Sequence, residues 1–248
     1  MKRHEEDKRD DLPAGIVCKN LKKIANGKTI LHDLSLVAEH GKITALLGPN
    51  GAGKTTGFAL LCGLERPSAG RIYLDGREIT DYPMYKRARL GIGYLPQESS
   101  IFRGLTVEEN ILSVLEMTHI KKSRQHLDKL LDDLNLKHVR KTPAISVSGG
   151  ERRKLEIARA LATDPKFILL DEPLAGIDPI AIGEMRDMIV SLKERGIGIV
   201  ITDHNVRDTL PIVDYAYVLF NGKILTEGTA KQITAHPEAQ RAYFGKNF

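Results

Sequence analysis

Residues 48–55 read Gly-Pro-Asn-Gly-Ala-Gly-Lys-Thr, and this stretch decides the fold. It fits the phosphate-binding pattern of two glycines with four residues between them, followed by Lys and by Ser or Thr. Glycines let the backbone curl so that successive N–H groups point inward at phosphate oxygens. Lys54 adds a positive charge for the β- and γ-phosphates, and the Thr55 hydroxyl is a hard oxygen ligand for Mg²⁺. We therefore predict that the chain binds a nucleoside triphosphate through Gly48, Pro49, Asn50, Gly51, Ala52, Gly53, Lys54, Thr55 and Thr56.

Both flanks of this loop have the pattern that such a site requires. Residues 43–47 are Ile-Thr-Ala-Leu-Leu, a buried strand, and residues 55–61 begin a helix. The positive end of the helix dipole then faces the phosphates. With a strand before and a helix after, a Gly-rich turn that matches by chance is the weaker interpretation.

A second apolar run, residues 167–170, ends in two carboxylates, Asp171 and Glu172. A buried strand of a parallel sheet delivers such acids to the edge where the phosphate loop also lies. We expect Asp171 to hold Mg²⁺ through water and Glu172 to polarise the attacking water as a general base. Without the phosphate loop, a strand running into a loop would be the default interpretation.

A Ser-Gly-Gly-Glu stretch at residues 148–151 predicts a second helix start. Ser148 and Glu151 have capping-box spacing, and apolar residues at helical spacing follow them. Gly149 and Gly150 expose the helix N-terminus, which makes it a second anion site. The alternative is a plain helix cap. That alternative is less favoured because the chain has two helix ends suited to phosphate but a single phosphate loop.

The remaining pattern predicts an α/β fold with an N-terminal antiparallel β part and a helical insert. Alternating apolar residues around the Asn26-Gly27 turn signal predict a hairpin. Thr106 and Glu109 have capping-box spacing and open a helix that runs to Met117. Other predicted elements are a helix at 121–134, hairpins at 71–79 and 215–225, strands at 92–95 and 197–201, and a helix at 180–195.

The composition is that of a single globular α/β domain, with 248 residues of which 42% are hydrophobic and 28% charged. We expect no membrane-spanning helix, since no apolar run approaches roughly 18 residues, and no signal peptide. Cys18 and Cys62 form no framework, which favours a reducing cytosol. Residues 1–14 are largely charged and predict a disordered extension. A net charge of +5 fits a solvated surface, and no nucleic acid is expected as a partner.

These stretches, with three more, occur in the order found in the ATPase subunits of ABC transporters, which the chain resembles from residue 15 to about residue 230. The resemblance implies a P-loop NTPase core of the RecA-like type over residues 15–248, with a helical subdomain at about 98–160. It also implies ATP and Mg²⁺ as cofactors. The other matching positions are Gln97, the Ala-Gly-Ile-Asp stretch ending at Asp178, and His204.

The resemblance implies further roles for these residues. Two such chains pair head to tail as a homodimer, so that Ser148, Gly149 and Gly150 contact the γ-phosphate held by the partner. Gln97 would sense Mg²⁺ and link to integral membrane subunits, and His204 would contact the γ-phosphate. A histidine that opens a helix is otherwise more often a capping or surface residue. Asp178 would line the dimer contact.

The sequence departs from the family pattern at three places. Val147 stands where Leu is usual, and Glu151 replaces Gln. The third departure concerns the aromatic residue that stacks on adenine, which is expected shortly before the Asn26-Gly27 turn. This chain has Ile24-Ala25 there, so the contact with the base would be aliphatic.

Longer stretches, residues 91–103, 170–179, 202–210 and 243–248, resemble the branch of the family that drives lipopolysaccharide extraction from the inner membrane. ATPases of branched-chain amino-acid importers are the alternative. A soluble ABC-type ATPase acting on DNA or ribosomes is less favoured, because it would carry a second cassette or a long coiled-coil insert. A P-loop kinase would have no use for residues 148–151.

Residues 101–103, Ile-Phe-Arg, combine apolar anchors with a cation, which is the residue mix enriched at binding hot spots. We expect the membrane subunit to dock at Phe102 and Arg103. The alternative is that Phe102 lies in the core. In either case, we expect the chain to work at the cytoplasmic face of the membrane.

Overall fold

The structure is a computed structural model that describes residues 12–118, 123–204 and 206–245, and for residues 179 and 180 the backbone alone. Most of the predicted charged extension, the first residues of the helix predicted at 121–134, Asn205 and the last three residues lie outside this description. In the described residues, no helix is both long and apolar enough to span a membrane.

Ten strands form one sheet in the order β5-β4-β1-β2-β10-β9-β3-β8-β7-β6. Strands β1 to β10 span, in chain order, Ile16–Ala25, Lys28–Ala38, Ile43–Leu47, Ala69–Leu74, Arg77–Glu78, Ile92–Leu95, Phe167–Asp171, Gly198–Thr202, Tyr215–Phe220 and Lys223–Gly228. The strand order explains the two-part architecture, because β5, β4, β1 and β2 pair antiparallel whereas β3, β8, β7 and β6 pair parallel.

The antiparallel part confirms the predicted N-terminal β region. Strand β1 pairs along its length with β2 and also with β4. This part joins the rest of the sheet by a single parallel pair, between Asp33 of β2 and Lys223 of β10. The connection between the two parts through the β-ladder is therefore narrow.

The parallel core carries the chemistry. Every residue of β3, β7 and β8 is buried, as expected for parallel strands covered on both faces. Strand β8 lies between β3 and β7, so the strand that ends in Asp171 is one strand away from the phosphate loop rather than next to it.

Helices cover this core and form the insert. Helices α1 to α8 span Lys54–Cys62, Met84–Arg89, Val107–Met117, Ser123–Asp133, Gly149–Leu161, Pro179–Glu194, Val206–Thr209 and Ala230–Ala235. The capping boxes predicted at the starts of α3 and α5 are both present. Short helical turns at Pro237–Ala239 and Gln240–Phe244 follow α8.

Two buried clusters hold the parts together. One contains residues of α3, α4 and α5 with the parallel strands and α6, so the helical insert shares its core with the sheet. The other packs β1 and β2 against α1, with Phe58 fully buried between them. The helix that starts at the phosphate loop is thus wedged between the two parts of the sheet.

Helix α2 was not predicted, and it contains the largest fully buried side chain, Arg87. Burial lowers the pKa of Arg87 to about 10, so the guanidinium remains charged at neutral pH. It donates to four main-chain carbonyls, those of Leu60, Leu61, Thr80 and Tyr82. Two of them belong to the last turn of α1, so Arg87 anchors the C-terminal end of the helix whose N-terminus is the phosphate loop.

Candidate nucleotide site

The phosphate loop connects β3 to α1 through glycines in left-handed conformations. The φ angles are 149° at Gly48, 79° at Gly51 and 107° at Gly53. A Cβ on Gly48 would lie 2.1 Å from the carbonyl oxygen of Leu219, so only glycine fits there. Helix α1 has no side-chain cap, which leaves its first N–H groups for a ligand.

Lys54 lies across this loop. Its side chain is largely buried, and Nζ donates to the carbonyl oxygens of Gly48, at 2.7 Å, and Pro49, at 3.0 Å. Burial lowers the pKa of Lys54, and the charges of Glu172 and Asp171 oppose that shift. An ammonium group held only by carbonyl dipoles is ready to turn toward phosphate oxygens.

Asp171 ends β7 as a buried carboxylate. Oδ1 accepts a hydrogen bond of 3.0 Å from the Thr202 hydroxyl, and Oδ2 accepts one of 3.5 Å from the Tyr94 hydroxyl. Burial raises the pKa of Asp171 above its usual range, and Glu172 next to it adds to the rise. A buried acid with so few partners is suited to a cation that arrives with its ligand.

The next residue after Asp171 is Glu172, and it contacts the two other predicted catalytic residues. The Glu172 carboxylate accepts a hydrogen bond of 2.8 Å from Gln97 Nε2 and lies 3.2 Å from His204 Nδ1. Glu172 has a φ of 47°, an unusual conformation for a residue with a side chain. Such local strain is typical of positions where function fixes the direction of a side chain.

The residues predicted to contact a second nucleotide lie at the start of α5, away from the phosphate loop. Ser148 Oγ donates to Glu151 Oε2 at 2.7 Å, and the Glu151 N–H donates back to Ser148 Oγ at 3.2 Å. With Gly150 and Asp178, these residues line a cavity of about 340 Å³ that no residue of the phosphate loop lines. One chain therefore presents two separate groups of site residues.

Arg153 connects these two groups and was missed by the sequence reasoning. It is 8% exposed and donates to the main-chain carbonyls of Asp171, at 3.2 Å, and Pro96, at 3.0 Å. It also forms an ion pair of 2.8 Å with the buried Glu156. The sequence signal for a buried Arg153 was Glu156, since a glutamate at an inward-facing position of α5 requires a buried cation as its partner.

Tyr243 lies in the short helical turn Gln240–Phe244. Its hydroxyl donates to the carbonyl oxygen of Asp203 at 3.3 Å, and burial raises its pKa to about 12. The C-terminal turns thus pack against the loop that carries His204.

The loop after Gln97 presents the residues predicted to dock a membrane subunit. Phe102 is 48% exposed, with the Arg159 guanidinium 4.4 Å from its ring centroid, so the alternative that Phe102 lies in the core is wrong. Arg103 is exposed as well. The buried Asn110 fixes this loop, since its side chain accepts from the Phe102 N–H at 2.8 Å and donates to the Phe102 carbonyl at 3.0 Å.

The comparison with known proteins agrees with this geometry. Residues 31–175 match the family described as ABC transporter. The chain belongs to this family. It is an ATP-binding, ATP-hydrolysing subunit of an ABC transporter, and the predicted α/β P-loop NTPase fold is confirmed.

Relatives of this ABC transporter subunit match nearly its whole length. A probable ABC transporter ATP-binding protein from Azorhizobium caulinodans is 54% identical over 92% of this chain and 82% of its own length. The lipopolysaccharide export system ATP-binding protein LptB of Haemophilus influenzae is 47% identical over 94% of this chain and 98% of its own. The protein of the same name from Escherichia coli K12 is 44% identical over 95% of this chain and 99% of its own length.

Solved structures show the same fold. The ADP conformation of MJ1267, an ATP-binding cassette of an ABC transporter, is 29% identical with a TM-score of 0.85, covering 93% of this chain and 98% of that one. The structure of cbiO1 from Clostridium perfringens, part of an ABC transporter complex, is 27% identical with a TM-score of 0.83, covering 93% and 94%.

Proposed function

We propose that this ABC transporter subunit drives lipopolysaccharide export from the cytoplasmic face of the inner membrane. The observation that carries the proposal is the 47% and 44% identity to two LptB proteins over 98% and 99% of their lengths. Such coverage includes the loop after Gln97, where a membrane subunit would be recognised, as well as the nucleotide motifs that all cassettes share.

The phosphate loop and Lys54 bind the triphosphate in this proposal. The N–H groups in the first turn of α1 take the phosphate oxygens, and Lys54 Nζ exchanges its two carbonyl partners for the β- and γ-phosphates. Because the ammonium group then faces anionic phosphate oxygens rather than neutral carbonyl oxygens, this exchange favours binding.

The donor set fits Mg²⁺, which neutralises charge on the phosphates when bound. Mg²⁺ typically takes one or two carboxylates, with phosphate and water oxygens as its other ligands. The chain offers the Asp171 carboxylate, the Thr55 hydroxyl and the Gln97 amide oxygen. In the described residues, no group of three or more His, Cys, Asp or Glu could hold a metal alone.

Glu172 is the proposed general base. Its carboxylate takes a proton from the water that attacks the γ-phosphate, while Gln97 and His204 hold the carboxylate in place. The His204 side chain is half exposed beside Glu172, so it can contact the γ-phosphate as charge shifts during transfer.

Two copies of the chain form the working unit in this proposal. Ser148, Gly149 and Gly150 of one copy contact the γ-phosphate bound by the partner, and Asp178 lies at the dimer contact. The separation of the two site groups within one chain supports this arrangement, because a cavity without phosphate-loop residues needs a second copy to meet a nucleotide.

We further propose that residues 15–248 form one ATPase domain, with residues at about 98–160 as its helical subdomain. The exposed Phe102 and Arg103 would carry the contact with the membrane subunits. An exposed aromatic ring stacked on a cation is a typical anchor for such a contact.

Copurification tests the proposal. Permeases for lipopolysaccharide export should copurify with the chain from detergent-solubilised membranes and be identified by mass spectrometry. Arg103→Glu should break this association while ATPase activity in solution stays within about twofold, because the loop lies outside the nucleotide site. Arg124→Glu, at another exposed arginine, is the matched control and should leave it intact.

Three other outcomes would each have a different meaning. Copurification of amino-acid importer permeases would assign the chain to that branch of the family. Loss of activity in solution by Arg103→Glu would indicate a folding defect. Equal copurification of the wild type and Arg103→Glu would show that Arg103 does not carry the contact.

A further inference from the structure

A histidine outside the nucleotide motifs contacts the start of α5. His138 lies in the short helical turn Lys137–Val139, and its Nε2 is 2.9 Å from Glu151 Oε1. The other oxygen of the same carboxylate, Oε2, accepts from both the N–H and the hydroxyl of Ser148. His138, Glu151 and Ser148 thus form one hydrogen-bonded row along the helix start.

This row creates an electrostatic conflict with the proposed role of Ser148. The serine hydroxyl has a single proton, which it donates to Glu151 in this structure. A γ-phosphate that takes this proton must come close to the Glu151 carboxylate. Where Glu151 stands, the family usually has a neutral glutamine, so this chain adds a negative charge at the point where another one arrives.

We infer that His138 is a positioning residue for the start of α5, because it holds the Glu151 carboxylate and offsets its charge when the partner's nucleotide docks. The inference rests on the proposed function, in which Ser148 meets a γ-phosphate across the dimer. A chain with glutamine at position 151 would have no need for such a cation.

The other charged groups around the cavity do not replace His138. Lys154 on α5 is paired with Glu184 on α6 at 2.5 Å, and the turn before α6 adds the acidic Asp178. The hydrogen bonds from Ser148, and then the bond and charge of His138, lower the pKa of Glu151 below its usual range, so Glu151 is ionised at neutral pH. Among the described residues that line this cavity, His138 is the basic side chain in contact with Glu151.

The inference predicts a pH-dependent effect, since histidine ordinarily changes charge between about pH 5 and pH 8. The measurement is the ATP concentration that gives half-maximal dimerisation in Glu172→Gln, which retains its ATP. His138→Gln keeps a neutral donor but removes the charge. It should raise this concentration about three- to fivefold near pH 6 and less than about twofold near pH 8, since a histidine ordinarily carries more positive charge at the lower pH.

Two further variants decide between positioning and a merely structural role. Adding Glu151→Gln removes the charge that needs compensation, so His138→Gln should then change the midpoint by less than about 1.5-fold at either pH. His126→Gln, at a histidine in another cavity, is the matched control and should have no effect at either pH. Taking the ratio of variant to parent at each pH cancels every pH effect that both proteins share.

The outcomes are distinguishable. Equal midpoints for His138→Gln and its parent at both pH values would overturn the inference. So would an effect of His138→Gln that persists unchanged beside Glu151→Gln, since that would be structural. Failure of Glu172→Gln to dimerise with ATP at all would instead contradict the proposed dimer on which the inference rests.

Discussion

Two helix N-termini in this molecule are suited to phosphate, and they are built in opposite ways. Helix α1 begins after a loop of left-handed glycines and has no side-chain cap. Helix α5 begins with a capping box in which Ser148 and Glu151 satisfy each other. The N–H groups of α1 are therefore ready for a ligand, whereas α5 already has side-chain acceptors at its start.

The side chains around the two helix N-termini differ in the same way as their caps. Around α1 stand Lys54, Asp171 and Glu172, the groups proposed to hold the triphosphate with its Mg²⁺ and to activate the attacking water. Around α5 the cavity offers Ser148 and Gly150, and neither Asp171 nor Lys54 lines it. In the proposed function, the first is a complete binding site, and the second is a contact surface that needs a nucleotide brought by another copy.

Removing the cation from the complete site should have the largest effect. Lys54→Ala should weaken ATP binding by about 100-fold or more, because it removes charge-assisted hydrogen bonds to two phosphates. Lys154→Ala, the matched change on α5, should leave ATP binding by the isolated chain within about twofold, as measured by calorimetry. Unchanged affinity in Lys54→Ala would place the nucleotide elsewhere.

A glycine-to-alanine change near the start of each helix should lower the free energy of unfolding much more at α1 than at α5. Gly48→Ala forces a side chain into a left-handed conformation and against the Leu219 carbonyl, so it should lower the free energy of unfolding by about 3 kcal/mol. Gly149→Ala meets no atom within 4 Å and should change the free energy of unfolding by less than about 1 kcal/mol. Chemical denaturation of both variants measures the difference, and equal losses would show that the two starts are built alike.

The smallest expected effect is on the affinity for the adenine base of the nucleotide. With Ala25 at the position of the expected aromatic residue, the stacking contribution of about 1–3 kcal/mol is missing, so ATP and GTP should bind within about tenfold of each other. Ala25→Tyr should restore stacking and raise ATP affinity by at least about fivefold. Competition binding tests both statements, and a preference for ATP above about 100-fold in the wild type would mean that another ring reads the base.

The sequence predicted what is local. The glycine spacing of residues 48–53, the two capping boxes and the apolar run ending at Asp171 each depend on neighbours within a few residues, and the structure contains all of these elements. Helix α2 escaped prediction because Met-Tyr-Lys-Arg-Ala-Arg has no apolar face, and Arg87 reads as a surface cation. Its burial depends on carbonyls that come from other elements.

Long-range geometry could not be predicted. Nothing in the sequence indicates that β8 lies between β3 and β7, or that Arg153, one of three consecutive basic residues, reaches the Asp171 carbonyl. The meeting of Gln97, Glu172 and His204 required the fold, because the three come from loops far apart in the chain.

The central claim is that a nucleotide joins the complete site of one copy to the contact surface of another. Glu172→Gln tests it most directly, since it keeps the shape of the side chain but removes the base, which typically slows hydrolysis by about 10² to 10⁴. Size-exclusion chromatography with Mg²⁺ should show a monomer without nucleotide, a monomer with ADP and a dimer with ATP, because only ATP carries the γ-phosphate that Ser148 contacts. A monomer in all three conditions would contradict the account, and a dimer in all three would place the pairing away from the nucleotide.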